Sequence, residues 1–305
     1  MEKALVTGGA GFIGSWVTDK LIEKGLDVIV MDNLSTGEIR NVNLKANIQG
    51  IDLRNAGLSK IFEKENPDYV FHLAAQIDLR KSLEHPTEDA DINILGSLNL
   101  LENCVKYRIK KFIFSSTGGA IYGDGSKIPS SESEKETPAS PYGIGKLTIE
   151  KYLDFFKKQH GLDYTALRYA NVYGPRQSNR GEAGVVSVFT NKLLKSEPVT
   201  INGSGEQTRD YVFVGDVADA NILALTLSGI FNVGTGIETN VNELYEMIAK
   251  KTGISIPAQR RDAIKGEQMQ SCLDASKLKK EGWKPKYNLE KGLEETVRYF
   301  RKLNC

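Results

Sequence analysis

Short apolar runs alternate with longer amphipathic stretches through the first half of the chain. KALVTG (3–8), DVIVMD (27–32), DYVFHLAA (68–75), KKFIFSS (110–116) and DYTALRYAN (163–171) read as strands. GFIGSWVTDKLIEKG (11–25) reads as a helix, with Ile13, Val17 and Leu21 recurring every fourth residue and Gly25 as its stop. INILGSLNLLENCVKY (92–107) and PYGIGKLTIEKYLDFFKKQHG (141–161) are longer helices. The second has Pro141 near its first turn and Gly161 just past its end. Strands alternating with helices predict an α/β fold, a doubly wound parallel sheet with right-handed crossovers.

The pattern changes after about residue 170. NVYGPRQSNRGEAG (171–184) and INGSGEQTRD (201–210) are polar and loop-rich. Further on, the helices NELYEMIAKKTG (242–253) and LEKGLEETVRYFRKL (289–303) flank the irregular stretch PAQRRDAIKGEQMQ (257–270). This predicts a smaller C-terminal lobe at the sheet's carboxyl edge. The expected division gives residues 1–170 plus about 211–235 to the sheet domain, and about 171–210 and 236–305 to the lobe. A chain of 305 residues can bury the core that both parts need.

Composition narrows the function classes. Forty basic residues against thirty-nine acidic leave a formal charge of +1, which argues against nucleic acid or an anionic membrane as partner. The N-terminal apolar run is too short for a secretory signal, and no later run is long enough for a span. Three scattered cysteines (Cys104, Cys272, Cys305) and three scattered histidines (His72, His85, His160) form no metal or disulfide pattern. A soluble protein of the reducing cytoplasm, without bound metal, is the expectation. Cys104 lies in an apolar-periodic stretch and reads as core.

TGGAGFIG (7–14) places Gly8, Gly11 and Gly14 between the first strand and the first helix. Residues without side chains let the backbone approach a pyrophosphate, and the helix N-terminus offers free N–H groups to it. Asp32 closes the second strand, eighteen residues after Gly14. A carboxylate there accepts from an adenosine ribose and repels a 2′-phosphate, which favours NAD over NADP. Asp52 is a candidate for contact with adenine. Ala74 and Ala75 are small where a cofactor would pass.

Tyr-x-x-x-Lys occurs three times, at Tyr107/Lys111, Tyr142/Lys146 and Tyr287/Lys291. The first reads as a solvated helix end, and the third lies far from any cofactor signal. Tyr142/Lys146 opens the helix after strand KKFIFSS, so both side chains reach the open end of the sheet. An ammonium beside a phenol favours the phenolate and suits a base working near neutral pH. The strand's end supplies Ser115, Ser116 and Thr117 as hydroxyls for the same substrate oxygen.

Glycine loop, ribose acid, hydroxyl, Tyr and Lys in this order resemble the extended short-chain dehydrogenase/reductase superfamily. Within it, the chain is similar to the nucleotide-sugar epimerases of the UDP-glucose 4-epimerase type. The resemblance runs nearly end to end through TGGAGFIG, DNLSTG, HLAAQ, NILGSLNLLE, SSTGGAIYGD, SPYGIGK, RYANVYGPRQ, GEQTRDYVFVGDVA and NVGTG. It implies 4-epimerisation of a UDP-hexose through a transient 4-keto sugar, with NAD as hydride store and Tyr142 as base. It also implies that Lys146 and Tyr142 reach the nicotinamide half. Gly8, Gly11, Phe12, Ile13, Gly14, Asp32, Asn33, Ser35, Thr36, Gly37, Asp52, Leu53, Leu73, Ala74, Ala75, Gln76, Asn93 and Tyr169 would line the rest of the cofactor.

The same resemblance puts Thr117, Tyr142, Asn171, Val186, Thr200, Asn202, Arg209, Glu267 and Ser271 against the UDP-sugar. Ser271 would face the sugar's 2-substituent, where a small residue leaves room for an N-acetyl group. A homodimer is implied, joined through helices 91–108 and 142–160. Several positions depart from the family pattern. Gly118 stands at the usual catalytic hydroxyl, so Thr117 is expected to supply it, with Ser116 as the alternative. Gly145 replaces a frequent Ser, Ala170 a frequent aromatic, and IKGE (264–267) lacks the usual Arg.

A 4,6-dehydratase or a UDP-glucuronate decarboxylase would carry an acid after the catalytic hydroxyl, where this chain has Gly118, Gly119 and Ala120. A nucleotide-sugar reductase would exchange NADPH, which Asp32 opposes. A UDP-glucuronate epimerase stays open. A non-catalytic NAD sensor would not need both Tyr142 and Lys146.

Overall fold

Residues 1–124, 127–178, 184–263 and 268–303 are described by a computed structural model. Seven strands form the central sheet: β1 (Lys3–Thr7), β2 (Asp27–Met31), β3 (Asn47–Gln49), β4 (Tyr69–His72), β5 (Lys111–Thr117), β6 (Tyr164–Tyr169) and β7 (Gly229–Val233). Their order is β7-β6-β5-β4-β1-β2-β3, and every pairing is parallel. This is the Rossmann arrangement, with the order reversing between β1 and β4.

The strands are apolar throughout because both faces are covered. Helix α1 (Phe12–Glu23) buries Val17 and Leu21 on one face, in a core with Val28, Val30, Phe71 and Ile113. Helices α2 (Gly96–Lys106) and α3 (Pro141–His160) cover the other, packing Leu100, Cys104, Ile149 and Leu153 against Leu5 and Phe112. The Ser140 side chain caps α3 by accepting from the Gly143 amide, and Gly161 ends it at φ +69°.

The helix expected at 92–107 begins earlier. It runs from Pro86 through a π-helical stretch, Asp91–Leu95, into α2. Apolar periodicity could not reveal the wide turn, since one extra residue per turn only rotates the face. Lys111 also differs from the solvated helix end expected of it. It opens β5, is buried, and its Nζ donates to Asp163 at 2.5 Å and to the Leu227 carbonyl.

One residue after β6 the chain enters a second, smaller sheet. Asn171–Tyr173 runs parallel to Thr208–Phe213, which also pairs with Glu238–Asn240 and with Gln270–Ser271. A separate two-stranded pair joins Thr200–Asn202 to Gln259–Arg261. Helices Val185–Leu194, Val241–Thr252 and Leu289–Leu303 bury Phe189, Leu193, Leu244, Ile248 and Leu293 in a core of their own. Among the described residues, no helix is long and apolar enough to cross a membrane, and no cluster of His, Cys, Asp and Glu could hold a metal.

Candidate active site

The glycine turn after β1 leaves no room for side chains. Gly8 has φ +69°, and a Cβ there would stand 2.7 Å from the Ala74 amide nitrogen. At Gly14 it would lie 2.1 Å from the Gly8 carbonyl oxygen. Gly11 donates to that carbonyl at 3.0 Å, and α1 then starts at Phe12 with no side-chain cap, leaving its first amides free. Asp32 is buried at the end of β2. Its Oδ2 accepts from the Ala10 amide at 3.0 Å and its Oδ1 from Leu34 at 2.8 Å, and each oxygen keeps a lone pair. A bare backbone cradle, an open helix N-terminus and a carboxylate at the next strand end fit a dinucleotide with an unphosphorylated ribose.

Around this cradle Asn33, Ser35 and Thr36 are exposed, Gly37 packs on Asp32, and Ile13 and Leu53 contribute apolar surface. Asp52 is held by Arg54 through both oxygens, at 2.8 and 2.9 Å, and accepts from Asn33 at 2.9 Å. That pairing keeps its carboxyl well below the usual range.

The floor between β1 and β4 is braced by a buried polar chain. The amides of Leu73 and Ala74 donate to Thr7 Oγ1, which meets His72 Nδ1 at 2.8 Å; His72 Nε2 meets Ser97 Oγ at 2.8 Å. Burial pushes His72 down to about 3, so the ring stays neutral and serves as a strut. In the π-helical stretch, Asn93 clamps the Gln76 backbone, accepting from its N–H and donating to its C=O, both at 2.9 Å. Asp89 completes the clamp, with Oδ1 accepting from Gln76 Nε2 and Asn93 Nδ2, each at 3.0 Å. Ala75 lies beside the clamp.

Tyr142 and Lys146 stand on the first turns of α3, at the carboxyl ends of β4 and β5. Lys146 is buried; its Nζ donates to the Ser115 carbonyl at 2.8 Å and lies 5.9 Å from the Tyr142 ring centroid. Burial brings its ammonium down to about 8, against the upward pull of Asp89 and Glu150, so it remains charged at neutral pH. Tyr142 is pushed well up, first by burial and then by Asp89. The lowering expected from Lys146 is not seen in the protein alone. Lys146 points its ammonium at a backbone carbonyl, and a carboxylate stands nearby.

The two candidate hydroxyls have different fates. Ser116 is buried and donates to Glu150 Oε1 at 2.6 Å. Thr117 is only half-buried, and its Oγ1 accepts from the Ala120 amide at 3.3 Å, which leaves its proton free to donate. Glu150 in turn is gripped by fully buried Arg168 at 2.6 and 3.0 Å. Arg168 reaches Tyr122 at 2.9 Å and Glu136 at 2.9 Å. Tyr169, next in β6, bonds Asn221 at 3.1 Å.

Across the opening, the small sheet presents the residues expected to meet substrate. Seen from Gly119, a Cβ would have Ser271 Oγ at 3.7 Å and Asn171 Oδ1 at 3.9 Å, which sets both against the turn that follows Thr117. Arg209 pairs in register with Ser271, and its Nη1 donates to the Thr208 carbonyl at 2.7 Å. Val186 is buried in the lobe's core, while Thr200 and Asn202 lie on the separate two-stranded pair. Glu267 lies outside the described residues.

Two groups at the site escaped the sequence reading. Asp89 carries no motif, although its position four residues before Asn93 on one helix face was the available signal. Tyr211, in register with Asn171, buries a hydroxyl that no partner satisfies among the described residues.

The sequence profile of the NAD-dependent epimerase/dehydratase family matches residues 4–234. The chain belongs to that family. Among solved members, it is similar to UDP-glucose 4-epimerase of Thermotoga maritima with UDP-glucose, at 51% identity and a TM-score of 0.98, covering 99% of this chain and 100% of that one. UDP-glucose 4-epimerase of Thermus thermophilus, in complex with NAD, is 42% identical at a TM-score of 0.94 over 98% and 99% of the two chains. UDP-N-acetylglucosamine 4-epimerase of Methanobrevibacter ruminantium, in complex with UDP-N-acetylmuramic acid, is 39% identical at 0.94 over 99% of each. NAD is the cofactor of this epimerase/dehydratase family, and the glycine cradle with Asp32 suits it.

Proposed function

We propose that this protein is an isomerase, a NAD-dependent 4-epimerase that interconverts UDP-glucose and UDP-galactose. The observation that carries the reading is Tyr142 and Lys146 on the first turns of α3, with Lys146 bonded to the end of β5, the strand that closes on the Thr117 hydroxyl, and no acid among Gly118, Gly119 and Ala120. Near-complete coverage by UDP-glucose 4-epimerases supports it.

The Gly8–Gly14 turn, Asp32, the Gln76–Asn93 clamp and Lys146 would hold the cofactor. When bound, NAD would supply an acceptor for the hydride of sugar C4 and a donor for its return. Tyr142 takes the proton of the 4-hydroxyl and later returns it. Charged Lys146 favours the phenolate during that transfer. Thr117 donates a hydrogen bond to the same oxygen as it becomes a carbonyl. Gly118, Gly119 and Ala120 offer no acid to move protons at C5 or C6, which leaves the 4-keto sugar its return path.

On the other wall, Arg209 supplies a permanently charged fork for the pyrophosphate. Asn171, Thr200 and Asn202 would complete that side, backed by the buried Val186. The nucleotide would then lie between a cofactor-binding part, 1–170 with about 211–235, and a lobe made of about 171–210 and 236–305.

Ser271 extends the reading to N-acetylated sugars. It is small, buried and adjacent to Asn171 across Gly119, so the sugar's 2-substituent has space. The similar enzyme named for UDP-N-acetylglucosamine supports this. Wild type is expected to turn over UDP-N-acetylgalactosamine as well as UDP-galactose. Ser271→Tyr should lower kcat/KM for the N-acetyl sugar by roughly 10²-fold while sparing UDP-galactose, since each ~1.4 kcal/mol of exclusion is tenfold in rate. Equal losses for both sugars would remove Ser271 as the gate.

The same reading makes the protein a cytoplasmic homodimer. Ile144, Tyr152 and Phe155 are exposed along one side of α3, and Leu95 is exposed at the start of α2. Two copies that pair these helices would bury an apolar stripe otherwise facing water. Light scattering on eluted protein should give twice the 33.7 kDa chain mass; a monomer at micromolar concentration would contradict the dimer.

A further inference from the structure

Asp89 has one carboxylate oxygen committed and one not. It is 2% exposed, in the turn before the π-helical stretch, and Oδ1 is saturated by Gln76 and Asn93. Oδ2 faces α3, 3.6 Å from the place a Cβ would take on Gly145. Gly145 immediately precedes Lys146 and lies three residues, about one helical turn, after Tyr142, so the open oxygen looks onto the turn that carries both. Among the described residues, no side chain donates to it.

We propose that Asp89 is a positioning residue that serves as the buried counter-charge of the Tyr142–Lys146 pair, holding the ammonium charged and setting the pH range in which the phenol releases its proton. The inference rests on the reading of Tyr142 as the base. Burial pulls Lys146 towards its neutral form, and the carboxylate opposes that; the same negative charge resists the phenolate. Glu150, further along α3, pulls on Lys146 in the same sense, and neutral His72 faces the pair from β4. Glu150 is already neutralised by Arg168 through the short contacts described above. Asp89 has only amide donors, so its charge acts on the pair unscreened. One residue thereby couples the cofactor-side clamp at Gln76 to the protonation of the base.

Asp89→Asn keeps the shape and an acceptor for the clamp but removes the charge. The phenol should then ionise more easily and the ammonium discharge sooner. Both limbs of the pH profile of kcat/KM for UDP-galactose should move to lower pH together, by about one unit. In the holoenzyme, the ultraviolet difference titration of Tyr142, taken against Tyr142→Phe, should move the same way. A profile that only loses height, with both limbs unmoved, would make Asp89 structural and overturn the proposal. If Asp89→Asn does not fold, Gly145→Ser serves instead. Its Cβ would make ordinary contacts, and its hydroxyl would donate to Oδ2, damping the charge. A smaller shift in the same direction supports the proposal, and unmoved limbs overturn it. The two readings separate cleanly. An active Tyr142→Phe enzyme removes the base and this inference with it, whereas an inactive one combined with unmoved Asp89→Asn limbs removes Asp89 alone.

Discussion

Replacing Tyr142 by Phe is expected to lower kcat/KM for UDP-galactose by roughly 10²–10⁴-fold, the usual worth of a positioned general base. The fold and the bound NAD should survive, because no side chain among the described residues depends on that hydroxyl, while the ring remains to pack beside Lys146. Cofactor content can be read from protein denatured after purification. Near-wild-type turnover would remove Tyr142 from the chemistry. Low activity together with lost NAD would point to a binding role instead.

The second large effect concerns stability. Glu150→Ala strips Arg168 of its main counter-charge at a position where the guanidinium is fully buried. Breaking such a pair from one side costs about 3–5 kcal/mol, because a desolvated charge is left behind. Glu136 and Tyr122 still touch Arg168, but Glu136 is partly exposed. Ser116 also loses its acceptor. The urea midpoint of Glu150→Ala should fall accordingly, while a double Glu150→Leu, Arg168→Met variant should lose much less. A single variant within about 1 kcal/mol of wild type would mean that Arg168 finds compensation elsewhere.

Much of this architecture is legible in the chain because each signal has one strong physical cause. Pro141 and Gly161 mark the ends of α3 because one fits only a first turn and the other relaxes a left-handed cap. Gly8 and Gly14 are readable as a cradle because a Cβ at either would collide with backbone. Tyr142 separates from Tyr107 and Tyr287 by its place after β5. Tyr107 stacks on Phe62 and Tyr287 on Phe213, both as packing.

What the pattern hides is short or rests on tertiary contact. β3 has three residues at a sheet edge, too few for any period to register. The strands Gln259–Arg261 and Gln270–Ser271, in a stretch that reads as irregular, exist because Thr200–Asn202 and Thr208–Arg209 offer them edges. The chain ranks Thr117 before Ser116 only by its place next to Gly118, and the physical difference, Glu150 taking the Ser116 proton, is tertiary. Asp89 looks like one more surface acid in EHPTEDAD until α3 is laid over it.

The central claim is that hydride leaves sugar C4 and returns to C4 within one site. UDP-galactose carrying deuterium at C4, incubated with the purified protein and no added nicotinamide, tests it most directly. The expected product is UDP-glucose with the deuterium retained at C4, formed until the two sugars reach equilibrium. Failure to interconvert them, or loss of the label to solvent, would contradict it.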